Sequence, residues 1–178
     1  MEAVKEIKTK NMIFDLDGSA ADFYAHEDWE EKMYKRRFFR NLNPLHNVPA
    51  GINLFLDRHP EMKKNSYIDS AVLEENKYAK SEKSAWVAEF IPGIKRAHYL
   101  YVNVGCRKSE AFNRQLTKDD VLFDDNSKNL IEWEEDGGTS IKVINGINGK
   151  GQKFKGPRID ARWSPEEICE ALEYILLS

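Results

Sequence analysis

Cysteine is scarce in this chain: Cys106 and Cys169 are the two thiols in 178 residues. They lie far apart, without the close pairs of a thiolate metal site or the dense, even set of a disulfide-stapled secreted scaffold, so two reduced thiols are expected. No apolar run approaches the roughly 20 residues that span a bilayer, and the opening MEAVKEIKTKNMIF lacks the apolar core of a signal peptide. A cytoplasmic protein with no membrane partner is therefore expected. An excess of positive charge is also missing. Lysine and arginine total 27 against 30 acidic residues, a net charge of −3, which gives no whole-molecule attraction to a nucleic acid polymer. Any anion must be captured by a local site. The four histidines, His26, His46, His59 and His98, show no ligand spacing, and no internal repeat or linker is visible.

What remains is a globular composition: 41% hydrophobic residues, with four Trp, seven Tyr and nine Phe, enough for one packed domain over residues 1–178. Short apolar runs alternate with helix-like segments. Met12–Phe14, Tyr67–Ile68, Tyr99–Val104, Val121–Phe123 and Ile141–Ile144 read as buried parallel strands, because none alternates cleanly between apolar and polar. Glu82–Ile91 reads as a helix with Trp86 and Phe90 on one face, stopped by Pro92 and Gly93. Asn126 or Ser127 caps a second helix that carries Leu130, Ile131 and Trp133 and ends at Gly137 and Gly138. Ser164, Pro165 and Glu167 form a capping box for a last helix whose stripe is Ile168, Leu172, Ile175 and Leu176. This alternation predicts an α/β fold, a doubly wound Rossmann-like parallel sheet. Residues 25–60, charged and aromatic, read as a small helical cap inserted after the first strand, and Gly146–Gly156 as a loop or short hairpin.

The chemistry concentrates where strands end. Ile13-Phe14 runs into Asp15-Leu16-Asp17-Gly18-Ser19, and Val121-Leu122-Phe123 runs into Asp124-Asp125 before a helix. In a parallel sheet both acidic pairs face the crevice at the strands' carboxyl ends. Four converging carboxylates repel one another unless a cation intervenes, and an all-oxygen set of this charge favours Mg²⁺ over zinc. A carboxylate beside such a cation can attack phosphorus to give an aspartyl phosphate, which water then hydrolyses. Either pair alone reads as readily as a solvated turn or a helix cap; their joint occurrence, with a serine and lysines between them, favours catalysis.

At these residues the chain resembles a known family. FDLDGS is similar to the first motif of the haloacid dehalogenase (HAD) superfamily and LFDD to its fourth. DLDGSAADFY and EKSAWV resemble the 5'(3')-deoxyribonucleotidase branch of bacterial and phage type, as do Phe123–Leu130 and Asn145-Gly146-Ile147-Asn148. The resemblance implies a HAD core and a Mg²⁺-dependent phosphomonoesterase acting on a small phosphorylated substrate such as a nucleoside monophosphate. By that resemblance Asp15 is nucleophile and metal ligand. Asp17 is the general acid and base, and its backbone carbonyl reaches the metal. Ser70 grips the phosphoryl oxygen, Lys108 offsets charge on the nucleophile and the phosphate, Lys83 adds a phosphate contact, and Phe23 lines the base and sugar pocket. Asp125, with Asp124 as support or alternate, completes the metal site.

Two positions depart from the pattern. Asp69 stands where the second strand is normally apolar, which leaves Ser66 as the fallback for Ser70, and the long gap from Lys108 to Asp124 leaves Lys118 as a substitute lysine. Phe38 and Phe39 would either stack on a nucleobase or pack the cap. The basic run Lys32, Lys35, Arg36, Arg37 and Arg40 reads more readily as a solvated face than as a phosphate guide. A homodimer is among the allowed assemblies. Competing expectations are a HAD phosphatase for sugar phosphates, a receiver domain, whose acid order differs, and a catalytically silent nucleotide-binding protein.

Overall fold

A computed structural model describes residues 9–148 and 153–178. The first eight residues of the opening segment, and residues 149–152 of the glycine-rich stretch, lie outside the described residues.

Among the described residues six strands, β1 (Asn11–Phe14), β2 (Ser66–Val72), β3 (Tyr99–Asn103), β4 (Asp120–Asp124), β5 (Thr139–Ile144) and β6 (Arg158–Asp160), form one sheet in the order β3-β2-β1-β4-β5-β6. Every pairing is parallel. Neither face is left to water, which is why the strands read as continuous apolar runs. Met12 and Phe14 of β1 point into the larger core with Ile68, Val121, Phe123, Ile141 and Val143, whereas Ile13 points into a smaller core with Leu122, Leu130, Trp133 and Phe154. The rings of Phe14 and Phe123 stack at 5.0 Å between centroids, joining the two central strands on the larger face.

Among the described residues five α-helices accompany the sheet: α1 (Trp29–Lys32), α2 (Val48–Arg58), α3 (Ala79–Phe90), α4 (Ser127–Glu135) and α5 (Pro165–Leu177). The predicted caps of the last two are present. Asn126 accepts from the Lys128 amide, and Ser164 and Glu167 form the reciprocal capping box with Pro165 at the first turn. Helix α3 starts earlier than its apolar spacing suggested, because Asn76 Oδ1 accepts from the amides of Tyr78 and Ala79 at 3.2 Å and brings Ala79 into the first turn.

Within 25–60 the structure separates two roles. Helix α2 lies in the body: Val48, Ile52, Phe55 and Leu56 are buried in the larger core, and the helix packs along α5. The segment before it forms the cap proper, with α1 and a short turn, Phe39–Asn41. It is tied to α3 and its entry loop by Trp86 Nε1 donating to the Leu42 carbonyl and Asn76 Nδ2 to that of Met33, each at 2.7 Å. Among the described residues no helix is long and apolar enough to cross a membrane.

Candidate functional site

The sheet turns at β1: β2 and β3 continue to one side, and β4, β5 and β6 to the other. The crevice beyond the carboxyl ends of β1 and β4 is the switch point at which doubly wound sheets bind ligands. Asp15 is the first residue past β1, and its amide still donates to the Phe123 carbonyl at 2.9 Å, so the ladder fixes its backbone. Asp124 closes β4, with Asp125 next. The chain then turns sharply after Asp17. Gly18 adopts φ +81°, a left-handed conformation open to glycine, and a Cβ there would come within 2.6 Å of both Asp125 Oδ2 and the Tyr24 ring.

Asp15, Asp124 and Asp125, all buried, bring carboxylate oxygens within 4.8 Å of one another in a group able to hold a metal ion. Ser19 links two of them. Its hydroxyl lies 2.9 Å from Asp15 Oδ2 and 3.1 Å from Asp125 Oδ1, and it accepts from the Asp125 amide at 3.0 Å. One hydroxyl proton serves one carboxylate at a time, so this bridge alone does not satisfy both acids. Asp125 Oδ2 also accepts from Asn145 Nδ2 at 3.0 Å and from Asn148, and the same Asn145 amide donates to the Gly18 carbonyl at 2.8 Å. Asp124 is more enclosed: Oδ1 accepts from the Asn126 amide at 2.7 Å and Oδ2 from Asn129 at 2.9 Å.

Lys108 Nζ donates to Asp15 Oδ1 at 2.7 Å and to the Asp69 carbonyl, and stands 3.7 Å from Asp124. The turn that presents it, Lys108–Ala111, is anchored by the Arg107 guanidinium, 2.7 Å from Asp136, and by Ser109 on the other oxygen of that carboxylate. Burial disfavours the Lys108 charge, but Asp15, Asp69 and Asp124 outweigh it and hold the ammonium above its ordinary range.

A second constellation adjoins the first. Lys83, buried on α3, donates to Asp17 Oδ2 at 2.5 Å, to Ser70 Oγ at 3.0 Å and to the Ala71 carbonyl at 2.6 Å. Burial raises the Asp17 carboxyl above its usual range even with Lys83 beside it. The Asp17 side chain thus belongs with Lys83 and Ser70, and the three acids that gather for a metal are Asp15, Asp124 and Asp125.

The alternatives separate by position. Ser66 is bonded to Met62 at the opposite end of β2, and Lys118 donates to the Gly138 carbonyl, so neither joins the acids. Phe23, Phe38 and Phe39 pack on one another with centroids 5.1–6.0 Å apart, and all three are buried.

Sequence reasoning gave no role to Lys142, or to Ser19 and Asn145, although the last two lie in the family-like segments. Lys142, buried in β5, donates to the Asp125 carbonyl and to Ser127 Oγ; its signal was a lysine inside the apolar run Ile141–Ile144. Asn145, directly after a strand, and Ser19, inside the acidic turn, had comparable signals. Asp69, noted as out of place, is fully buried with both carboxylate oxygens unpartnered among the described residues, and burial lifts its pKa to about 7. Burial and Asp15 together bring Asp125 to about 7 as well. Around the crevice five buried or half-buried carboxyls, Asp15, Asp17, Asp69, Asp124 and Asp125, meet three buried ammonium groups, Lys83, Lys108 and Lys142. With every group charged the set carries a formal excess of two negative charges, and the upward shifts of Asp17, Asp69 and Asp125 are the physical expression of that crowding. No protein-family model and no curated protein matches the chain.

Proposed function

We propose that the chain is a Mg²⁺-dependent phosphomonoesterase of HAD type that works through an aspartyl phosphate on Asp15. The observation carrying this reading is the meeting, at one rim of the sheet, of Asp15 with Asp124, Asp125 and the Lys108 ammonium, drawn from three separate parts of the chain. Asp15 and Asp125, with the Asp17 carbonyl, would hold the ion and Asp124 would support them; the all-oxygen donor set suits magnesium. The ion, when bound, offsets charge on the transferring phosphoryl group.

The protein's own groups supply the rest. An Asp15 oxygen attacks phosphorus as the bond from phosphorus to the leaving oxygen breaks, and Asp17, whose carboxyl is raised toward its protonated form, gives that oxygen its proton. Asp17 then takes a proton from the water that cleaves the aspartyl phosphate. Lys108 holds Asp15 in place and, with Ser70 and Lys83, offsets charge on the phosphoryl oxygens.

For the substrate we propose a small nucleotide such as a deoxynucleoside monophosphate, a reading supported by the DLDGSAADFY and EKSAWV segments. One observation favours a sugar phosphate instead: Phe23, Phe38 and Phe39 are at most 9% exposed, which leaves little ring surface for a base. Phosphate release from an aryl phosphate, with Mg²⁺ and with EDTA, tests the reaction. Asp15→Asn should abolish it while the fold is kept, and activity retained in that variant or in EDTA would remove the proposal. A panel of dUMP and dTMP against hexose phosphates separates the substrates.

A further inference from the structure

The cap carries a charged hollow that the proposed reaction does not use. His26, Lys32, Lys35, Arg36, Arg37, Phe38 and Asn41 line a cavity of about 220 Å³. Lys32 is paired with Asp28 at 2.9 Å, and Arg40, just outside, is paired with Glu89. Lys35, Arg36 and Arg37 are exposed and have no ion-pair partner among the described residues. The acids of the preceding segment, Glu27, Glu30 and Glu31, do not line the hollow. Three cations without an ion-pair partner among the described residues therefore share one open hollow.

The backbone there is also constrained. Arg37 adopts φ +72°, a left-handed conformation rare for a residue with a long side chain. It is held from α3, where Glu82 Oε1 accepts from the Arg37 amide at 2.6 Å and Oε2 from the Arg40 amide at 3.4 Å. Phe38 forms the inner wall and packs edge-on against Phe23 and Phe39. A basic face that is merely solvated needs neither a concave wall nor a clamped turn.

We propose that this hollow binds the polyphosphate group of a small molecule. Guanidinium forks pair bidentately with phosphoryl oxygens, and three free positive charges match a chain of phosphoryl groups better than a single one. The chain could come from a nucleoside triphosphate or from inorganic polyphosphate. The site stands independently of the Asp15 chemistry, and its failure would leave that reading untouched.

Titration calorimetry of the intact protein in EDTA, with inorganic tripolyphosphate and separately with dATP, tests this. Lys35→Ser/Arg36→Ser/Arg37→Gly removes the three free cations at exposed positions and leaves position 37 a residue at ease with its backbone. Lys64→Ser/Lys95→Ser/Arg96→Ser removes the same charge at exposed sites elsewhere. Tripolyphosphate affinity should fall at least tenfold in the cap variant and less than twofold in the control. Tighter binding of dATP would identify a nucleotide as the source, and equal binding the phosphate chain alone; both support recognition of the chain. Hydrogen exchange of the wild type should slow over residues 32–41 on binding. Absence of tripolyphosphate binding, equal losses in the two variants, or unchanged exchange over that segment would overturn the proposal.

Discussion

The ammonium of Lys108 lies 2.7 Å from Oδ1 of Asp15, although 93 positions separate them in the chain. Both side chains are nearly inaccessible, and the lysine is the cation nearest the proposed nucleophile. Lys108→Met keeps the length of the side chain and removes the charge. Loss of one fixed electrostatic partner of a transition state costs about 10²–10³ in kcat, so hydrolysis of an aryl phosphate should fall at least by that factor. The variant should also melt lower in EDTA, because breaking a buried pair leaves Asp15 and Asp124 uncompensated. Wild-type kcat in this variant would show that Lys108 only packs.

The buried acids set the sign of a pH effect. Asp69 and Asp125 titrate at about 7 in the folded protein, against roughly 3.9 for an unfolded aspartate. Between those values the folded chain binds more protons than the unfolded one, so stability is full below about pH 4 and declines as pH rises through 7. In EDTA the melting temperature should drop by several degrees from pH 5.5 to pH 8. Mg²⁺ at pH 8 should recover most of that loss by supplying the missing positive charge. A melting temperature that climbs with pH in EDTA, or that ignores Mg²⁺ at pH 8, would contradict the electrostatics described for the crevice.

Much of this fold could be read in the sequence because the strong signals are local. Ser164-Pro165 with Glu167 is a cap with one structural meaning, Asn126 or Ser127 before Leu130 places a helix start to within one residue, and the apolar runs ending in Asp15 and Asp124 are buried strands. Strand β6 gave no such signal. It has three residues, and Ile159 is its lone apolar member, so it exists through its register with Val143 of β5. The place of helix α2 is not legible in the sequence, because its position after β1 says nothing about which surface it covers; contact with α5 decides that. The acids and lysines of the site could be identified because strand ends expose them. Their division could not: that Asp17 turns to Lys83 while Asp15 turns to Lys108 depends on side chains from α3 and from the turn at Lys108.

Asp120, at the start of β4, behaves oppositely to the crevice acids. Burial works against its charge, but two bonds from Arg114 at 2.6 and 2.7 Å, one from Asn11 at 2.8 Å and one from the Thr117 amide at 2.8 Å prevail and bring its pKa to about 2. A depressed folded value contributes stability that is present above the unfolded value near pH 4 and is lost as pH falls through 2. With Arg114 45% exposed, and the pair screened accordingly, the contribution is about 1–2 kcal/mol at pH 7. Urea titrations should show Asp120→Asn less stable than wild type by that amount at pH 7, with the gap narrowing toward pH 2. A gap independent of pH would mean that the carboxylate charge is not what matters.

Gly51 tests the body of the fold without touching the acids. It sits in α2 where that helix crosses α5, and a Cβ built there would lie 2.5 Å from Ile168 Cγ2 and 2.6 Å from Ile168 Cβ. Ile168 is fully buried, and its branch at Cβ is stiff, so the clash cannot be relieved by turning the end of a flexible side chain. In an exposed helix, glycine to alanine would stabilise by about 1 kcal/mol. Here overpacking, which costs about 1–3 kcal/mol, opposes and outweighs that gain. The net loss is up to about 2 kcal/mol, so for a chain of this size Gly51→Ala should lower the melting temperature by up to roughly 8 °C, while Mg²⁺-dependent phosphate release below the transition stays unchanged. A melting temperature at or above that of the wild type would mean that α2 and α5 are not in the close contact the structure describes.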